Sequence, residues 1–571
     1  MKQFKKLLAI LLCAVMVIGL FAGCQSKDKP EDSSASSSTS STEKKEEEKK
    51  EEKKEEPKKE EKKEEPKKEE PKKEEKKEEV VEEKGITYTG VSPVFEETKV
   101  ISWIGTNGSS LTFEWDKMDW CHEICRVANV ELEMEMLENT TYNDVINPRL
   151  AAGADLPDVV QMPSKDEDMK FIKSGLFAEL TSYYDDYGYN LAWRFEDNPT
   201  VKGQLTTPDG KIFYVPVVDM STDYCPAPLL NFTWTSELGF DVPKTTDEYY
   251  ELLKAMKGAD LNGNGEDDEW PLFLRAGMET FMGSMWGLDL RLGYYNNDGT
   301  VEASYINDRY LDYLTYMNKL YTEGLLYNEW STSTYDIQNK LFSNNQVGSG
   351  YHYTNNCQSY CRLIDGEWKN DGSMPLTFGA VEPYTTAVWG KKELAGLDPI
   401  AGVFGISKFC EKPDEVFCFL DFLYSEEANN LLYYGIEGVD YKVENGRKIL
   451  DTERRSTNNY ASVAGNNMGA FPRILLAEHR DNAYVPEIGE RNAAIRQFYK
   501  IPIGFAYALE DELETVKTYA TDLSTYWGEM RVAFITGTRP LSEYDDYVNT
   551  LKNMHIDDMA AVYQAKSDRI G

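Results

Sequence analysis

Apolar and polar residues alternate across Val130–Leu137, the two-residue rhythm of a strand with one buried face. Thr98–Ile104 is predicted to be a strand before it, and Leu156–Met162 a short buried one after it. Between these runs the period lengthens to that of helices, with an amphipathic Phe113–Asn129 and then Tyr142–Ala152. Alternation at this spacing predicts an α/β chain with a parallel sheet. Farther on, Asp247–Lys257, Ile306–Glu323 and Pro413–Tyr434 carry helical apolar faces. Thr245 with Glu248 three residues later is a capping box that opens the first of these.

The start of the chain has a different pattern. Lys2, Lys5 and Lys6 precede an apolar run, Leu7–Leu20, so residues 1–23 read as a secretion signal. The junction Phe21-Ala22-Gly23-Cys24 has the form of a bacterial lipobox, with Cys24 as the residue to be lipidated. Two acyl chains on one cysteine suffice for stable anchoring, which places the mature protein on the outer face of a membrane. Residues 24–85 hold a Ser/Thr-rich piece and then Lys-Lys-Glu-Glu repeats broken by Pro57, Pro66 and Pro71. With almost nothing apolar to bury, this segment is a solvated spacer. Residues 86–571 are left to hold the function.

Charge narrows the partners. The chain carries a net −37, nearly all of it outside the balanced spacer, so nucleic acid and anionic lipid are repelled while calcium and neutral ligands are suited. Cysteine adds no chemistry. Beyond Cys13 in the signal and Cys24, seven remain, and Cys121, Cys125, Cys410 and Cys418 read as small hydrophobes in helical patterns. A disulfide between Cys357 and Cys361 requires a loop there, and His122 and His352 are the only nearby partners for a zinc site. None of the four His joins a Ser or Cys in a nucleophilic motif.

The most informative stretch runs from Asp260 to Glu269. Oxygen side chains stand at loop positions 1, 3, 5, 9 and 10, supplied by Asp260, Asn262, Asn264, Asp268 and Glu269. Gly265 holds position 6, where a calcium loop turns sharply, and Glu266 at position 7 offers a backbone carbonyl. Position 12 is Pro271 in place of a bidentate Glu, so Glu269 closes a shortened loop. The bland alternative is a surface turn rich in Asn, Asp and Gly. A structural calcium is the reading expected here.

Five motifs in order carry a family resemblance: Ala154–Pro163 (ADLPDVVQMP), Thr207–Pro216 (TPDGKIFYVP), Leu238–Leu272 with the acidic loop, Leu320–Leu326 (LYTEGLL) and Tyr434–Tyr441 (YGIEGVDY). Together they resemble the extracellular solute-binding lipoproteins of ABC importers, in the branch of the LplA-type and alginate-oligosaccharide-binding proteins. The resemblance spans roughly residues 95–550. It implies a two-lobed α/β fold like that of periplasmic binding proteins, with a cleft between lobes joined by crossing segments. The N-terminal lobe is expected at about 95–220 and 405–445, the C-terminal lobe at about 221–400 and 446–550. By the same resemblance the calcium ligands are Asp260, Asn262, Asn264, Glu266, Asp268 and Glu269. Around Phe232–Thr235 the chain departs from relatives that carry an Arg and an Asp-Trp-Leu run.

The implied activity is capture of a solute, an oligosaccharide above all, by closure of the lobes and its delivery to a membrane permease. Aromatic rings cover sugar faces and polar groups bond the hydroxyl rim. Candidate contacts at strand ends are Trp103, Thr106, Met162, Trp286, Tyr351, His352 and Trp389. Two other classes stay open: a sensor or adhesion lipoprotein that does not transport, and a surface glycosidase, which needs two carboxylates about 5–10 Å apart.

Overall fold

The computed structural model describes residues 86–106, 118–163, 168–191, 199–221, 225–366, 376–444, 446–451, 470–481, 485–501, 503–504 and 506–570. These hold two sheets of four or more strands, each with its own hydrophobic core. The first runs in the order Arg473–Leu475, Tyr214–Asp219, Ile400–Ile406, Val159–Gln161, Lys99–Thr106, Val130–Leu137. Lys99–Thr106 pairs in parallel with both Val130–Leu137 and Val159–Gln161. Ile400–Ile406 runs antiparallel to its two neighbours, so the sheet is mixed. The second sheet runs Phe378–Ala380, Pro226–Asn231, Val347–Tyr353, Trp270–Phe273.

Local chemistry explains where the elements stop. The expected Val130–Leu137 strand is present with those bounds. It is preceded by the helix Asp119–Ala128, which ends at Asn129 in the left-handed conformation (φ 61°) that Asn tolerates better than most residues. The expected start of that helix at Phe113 lies outside the described residues. Thr246–Met256 opens with the predicted capping box: Thr245 Oγ1 accepts the Glu248 N–H at 3.2 Å and the Glu248 carboxylate accepts the Thr245 N–H at 3.2 Å.

The long helix predicted over Pro413–Tyr434 is two helices, Pro413–Phe422 and Glu426–Tyr433. Ser425 separates them by capping the second with its hydroxyl, which accepts the Ala428 N–H at 3.2 Å. Cys357 and Cys361 lie in a helix, Cys357–Asp365, and both are free thiols. Cys125 and Cys410 are half-buried rather than buried, and Cys410 precedes its helix.

Large rings fill both cores. Trp103 and Trp120 in the first, and Trp234, Trp286 and Trp330 in the second, have essentially no exposed surface. Each such ring removes roughly 200 Å² from water, about 5 kcal/mol before conformational entropy is counted. At the first core's margin, Asp421 accepts the Tyr88 O–H at 2.7 Å and the Asn190 and Leu191 N–H groups at 3.0 and 2.9 Å. That network ties the start of the described chain to the first lobe. Burial holds the Asp421 carboxyl above its ordinary range, at about 6.

The chain passes between the sheets at three places: after Asp219, before Ile400 and after Leu475. The last of these differs from the expected boundary, because Arg473–Leu475 pairs with Tyr214–Asp219 in the first sheet instead of joining the second lobe from residue 446. Phe232–Glu237, where the chain departs from the Arg and Asp-Trp-Leu run of the relatives it resembles, is a helix of the second lobe with Trp234 buried.

Candidate functional site

Strand direction fixes which edges of the two sheets meet the crossings. Tyr214–Asp219 ends where the chain leaves the first sheet, and Lys99–Thr106 and Val159–Gln161 point the same way, since Ile400–Ile406 opposes both of its neighbours. Thr106 and Met162 therefore stand on the crossing edge. In the second sheet Pro226 opens its strand just after the crossing and pairs with Tyr353, the last residue of Val347–Tyr353. Trp270–Phe273 runs parallel to that strand, so its end also meets this edge. The carboxyl ends of strands in open α/β sheets are where ligands bind.

The crossings are bound to one another. The Arg496 guanidinium forks onto the Asp481 carboxylate, and its Nε–H donates to the Ser221 carbonyl at 3.2 Å. The Tyr499 hydroxyl donates to the Cys225 carbonyl at 2.8 Å, and the Gly396 N–H to the Lys500 carbonyl at 2.8 Å. The Leu397 N–H points at the Cys225 sulfur at 3.3 Å, and Arg291 reaches the Gly396 carbonyl at 3.1 Å. These bonds tie the three crossings to one another and to the second lobe.

The seven expected contacts divide. Thr106 is buried, with its N–H on the Gln161 side-chain oxygen at 2.8 Å, and the Met162 N–H bonds Val403. Tyr351 and His352 stand next to the end of Val347–Tyr353, an inner strand of the second sheet. Burial raises the Tyr351 phenol above its ordinary pKa, and burial, then the Arg275 charge, lowers the His352 imidazole to about 4. Trp103 packs between Phe404 and Phe471, ring centres 5.2 and 5.3 Å away, and presents no face to solvent. Trp286 is a core ring of the second lobe whose N–H donates to Asp312 at 2.8 Å. Trp389 is half-buried on that lobe. Its ring faces the Arg309 guanidinium at 4.4 Å and the Lys391 ammonium at 4.5 Å, and lies so close to Gly287 that a Cβ there would sit 2.5 Å away. Cavities of about 550 and 600 Å³ elsewhere are lined by none of the seven.

Sequence reasoning missed Arg275, Arg291 and Arg496. Arg275 alone had a signal, since it closes an apolar run that begins directly after the acidic loop.

The loop from Asp260 to Glu269 turns at its two glycines. Gly263 and Gly265 take φ of 73° and 81°, conformations open to glycine. Asp260 accepts the Gly265 N–H at 3.0 Å, Asn262 the Asn264 N–H at 3.0 Å, and Asn264 the Glu266 N–H at 2.8 Å. Glu269, buried, accepts from Leu261 and Asn262 at 3.0 and 3.2 Å. Both Asn side-chain amides donate to Asp268. Each oxygen keeps a second lone pair, so this mixed carboxylate and amide set fits a hard cation. Carboxylates, Cys and His alone form no group of three placed for a metal among the described residues.

Two lobes with separate cores, joined by crossings that are hydrogen-bonded to one another at the strand ends of both sheets, make the two-lobed α/β architecture of solute-binding proteins. Residues 128–430, just over half of the chain, match the family of bacterial extracellular solute-binding proteins, and the chain belongs to it. It is 27% identical over 345 residues to lipoprotein LipO of Bacillus subtilis (strain 168), covering 58% of this chain and 65% of LipO, just under two thirds of that relative. It is 25% identical over 460 residues to FusA of Streptococcus pneumoniae serotype 4 (strain ATCC BAA-334 / TIGR4), covering 73% of this chain and 81% of FusA. FusA is described as a fructooligosaccharide ABC transporter substrate-binding protein. The fold superposes on calcium-free alginate-binding protein AlgQ2 with a TM-score of 0.63 at 21% identity, over 83% of this chain and 99% of AlgQ2.

Proposed function

We propose that this protein is the solute-capturing lipoprotein of an ABC importer, which encloses an extracellular oligosaccharide between its lobes and delivers it to a membrane permease. The observation that carries this reading is the shared edge: strand ends of both sheets converge where the crossings are tied by Arg496, Tyr499 and Arg291. Family membership supports it, and so does the sugar named for FusA. Closure over the edge excludes water from the bonds made to sugar hydroxyls. The protein binds its solute without turning it over.

Cys24 is the proposed lipid attachment, and residues 24–85 the tether that holds the lobes off the outer membrane face. The loop from Asp260 to Glu269 holds a structural calcium, with the Glu266 carbonyl completing the set. No helix of the described residues is long and apolar enough to cross a membrane. A thermal-shift screen of residues 86–571 against oligosaccharides tests the reading, because a ligand at a hundred times its Kd stabilises by about 2.7 kcal/mol. A panel without any stabilising sugar counts against it.

A further inference from the structure

A cationic pocket lies on the flank of the second sheet, in a chain with 99 acidic side chains against 62 basic ones. Val242, Val381 and Ile495 line it together with Lys244, Lys392 and Arg491, and its volume is about 290 Å³. Val381 follows the edge strand Phe378–Ala380, and its N–H donates to the Pro228 carbonyl at 3.0 Å. Pro228 stands two residues beyond Pro226, which opens its strand just after the first crossing. The pocket therefore sits beside the crossing edge.

Arg491 gives the pocket its character. It stands one turn before Ile495 on the helix Pro486–Ile495, so both reach the same space. Its guanidinium carbon lies 4.3 Å from the centre of the Phe232 ring. Gly379 in the edge strand makes room for this stack, since a Cβ there would lie 2.6 Å from that ring and 3.2 Å from the Arg491 Cδ. Stacking fixes the guanidinium plane and leaves the N–H groups at its rim for an acceptor. Among the described residues no hydrogen bond or ion pair takes them up, although Glu487 stands one turn earlier on the same helix. Arg309 in the same lobe also lies on a ring, that of Trp389, and yet grips Glu302 at 2.7 Å. Lys392 is held by Glu382, whereas exposed Lys244 has no ion pair among the described residues. Arg491 is half-buried and lines the cavity, so an incoming group can reach it. Burial lowers its pKa from the ordinary value, as expected of a cation partly removed from water without a compensating anion.

We propose that this pocket is a docking surface for a membrane protein, which inserts one Asp or Glu side chain against Arg491. This rests on the reading that the solute is delivered to a permease, and it names the surface and the charge that the permease brings. The volume lies just under the roughly 300–1,000 Å³ of small-molecule sites, which suits one acidic side chain and not an oligosaccharide. A carboxylate accepts two parallel N–H bonds from the fork. Phe240 and Val242, 38% and 41% exposed, add apolar surface at the rim. Arginine among aromatic and apolar neighbours is the composition of an interface centre. The chain's overall negative charge does not cancel this patch, because the screening length at extracellular salt is about 8 Å and Arg491 acts at contact.

The test is photo-cross-linking in membranes of cells that produce the full chain with p-benzoylphenylalanine in place of Phe240, a ring-for-ring change outside the pocket lining. The expected adduct is a membrane protein joined through a peptide that contains Asp or Glu. Arg491→Gln is expected to lower its yield at least about fivefold, and Arg491→Glu combined with the partner's acidic residue changed to Arg to restore it to within about twofold. An unliganded melting temperature unchanged by Arg491→Gln shows that the fold is intact; where it shifts, the charge exchange alone decides. An adduct with a second copy of this chain, an adduct peptide without an acidic residue, a yield indifferent to Arg491→Gln, or a charge exchange that fails to restore it overturns the docking surface. Amine-reactive cross-linking through the surface lysines separates this from the delivery reading. A membrane protein captured that way but not from position 240 overturns the surface and leaves delivery standing, and none captured by either route overturns both.

Discussion

Arg496 grips Asp481 with both terminal nitrogens and donates its Nε–H to the Ser221 carbonyl, so one side chain joins the first and third crossings. A planar fork makes three directed bonds that a lysine ammonium cannot reproduce. Arg496→Lys is expected to speed amide exchange in residues 220–221, 225 and 396–399, while overall stability drops by only about 1 kcal/mol because the pair is partly solvated. Hydrogen exchange with mass spectrometry reads this. Unchanged exchange in those segments means that the guanidinium does not hold the hinge.

Much of this hinge was illegible in the chain. Period and capping are local, so Val130–Leu137 and the Thr245 box could be read directly, whereas Arg275 opposite His352 depends on pairing strands over seventy residues apart. The Pro413–Tyr434 run kept its apolar face through Ser425, which hid the break. Trp103 and Trp286 carried no mark to separate a core ring from a stacking ring, and the packing of Phe404, Phe471 and Tyr313 around them decided it. The acidic loop stood out because its five oxygen side chains fall within the ten residues from Asp260 to Glu269.

Chelator is expected to lower the melting temperature of residues 86–571, because removal of a cation bound only to the native loop withdraws its linkage stabilisation. Asp260→Ala should start from the lower temperature and lose the chelator response. A wild-type melt that ignores chelator contradicts the calcium assignment.

His352 should stay neutral down to pH about 4, with its proton on Nε2. Imidazole chemical shifts test this readily in a chain with four His, and a midpoint near the ordinary 6.5 refutes it. The sign for stability follows. The unfolded chain protonates first on acidification, so this contribution is present above pH 6.5 and lost as pH falls through about 4, roughly 3 kcal/mol at most. Asp421, raised to about 6, acts oppositely: its contribution is present below the ordinary value of 3.8 and lost as pH rises through 6. His352→Gln should therefore make the protein gain stability on acidification from pH 6 to 4 relative to wild type.

Cys24→Ser should release the protein from membranes into the medium, since no second acylated cysteine is proposed. Cell fractionation with immunoblotting follows it. Protein that stays with the membrane fraction shows that something other than the lipid holds it.

Capture by closure is the central claim, and small-angle X-ray scattering of residues 86–571 with and without a saturating stabilising oligosaccharide tests it most directly. The account predicts a smaller radius of gyration in the complex, as lobes hinged at Ser221, Cys225 and Gly396 close over the ligand. A tightly bound saccharide that leaves the radius of gyration unchanged would contradict it and would point to a rigid surface site.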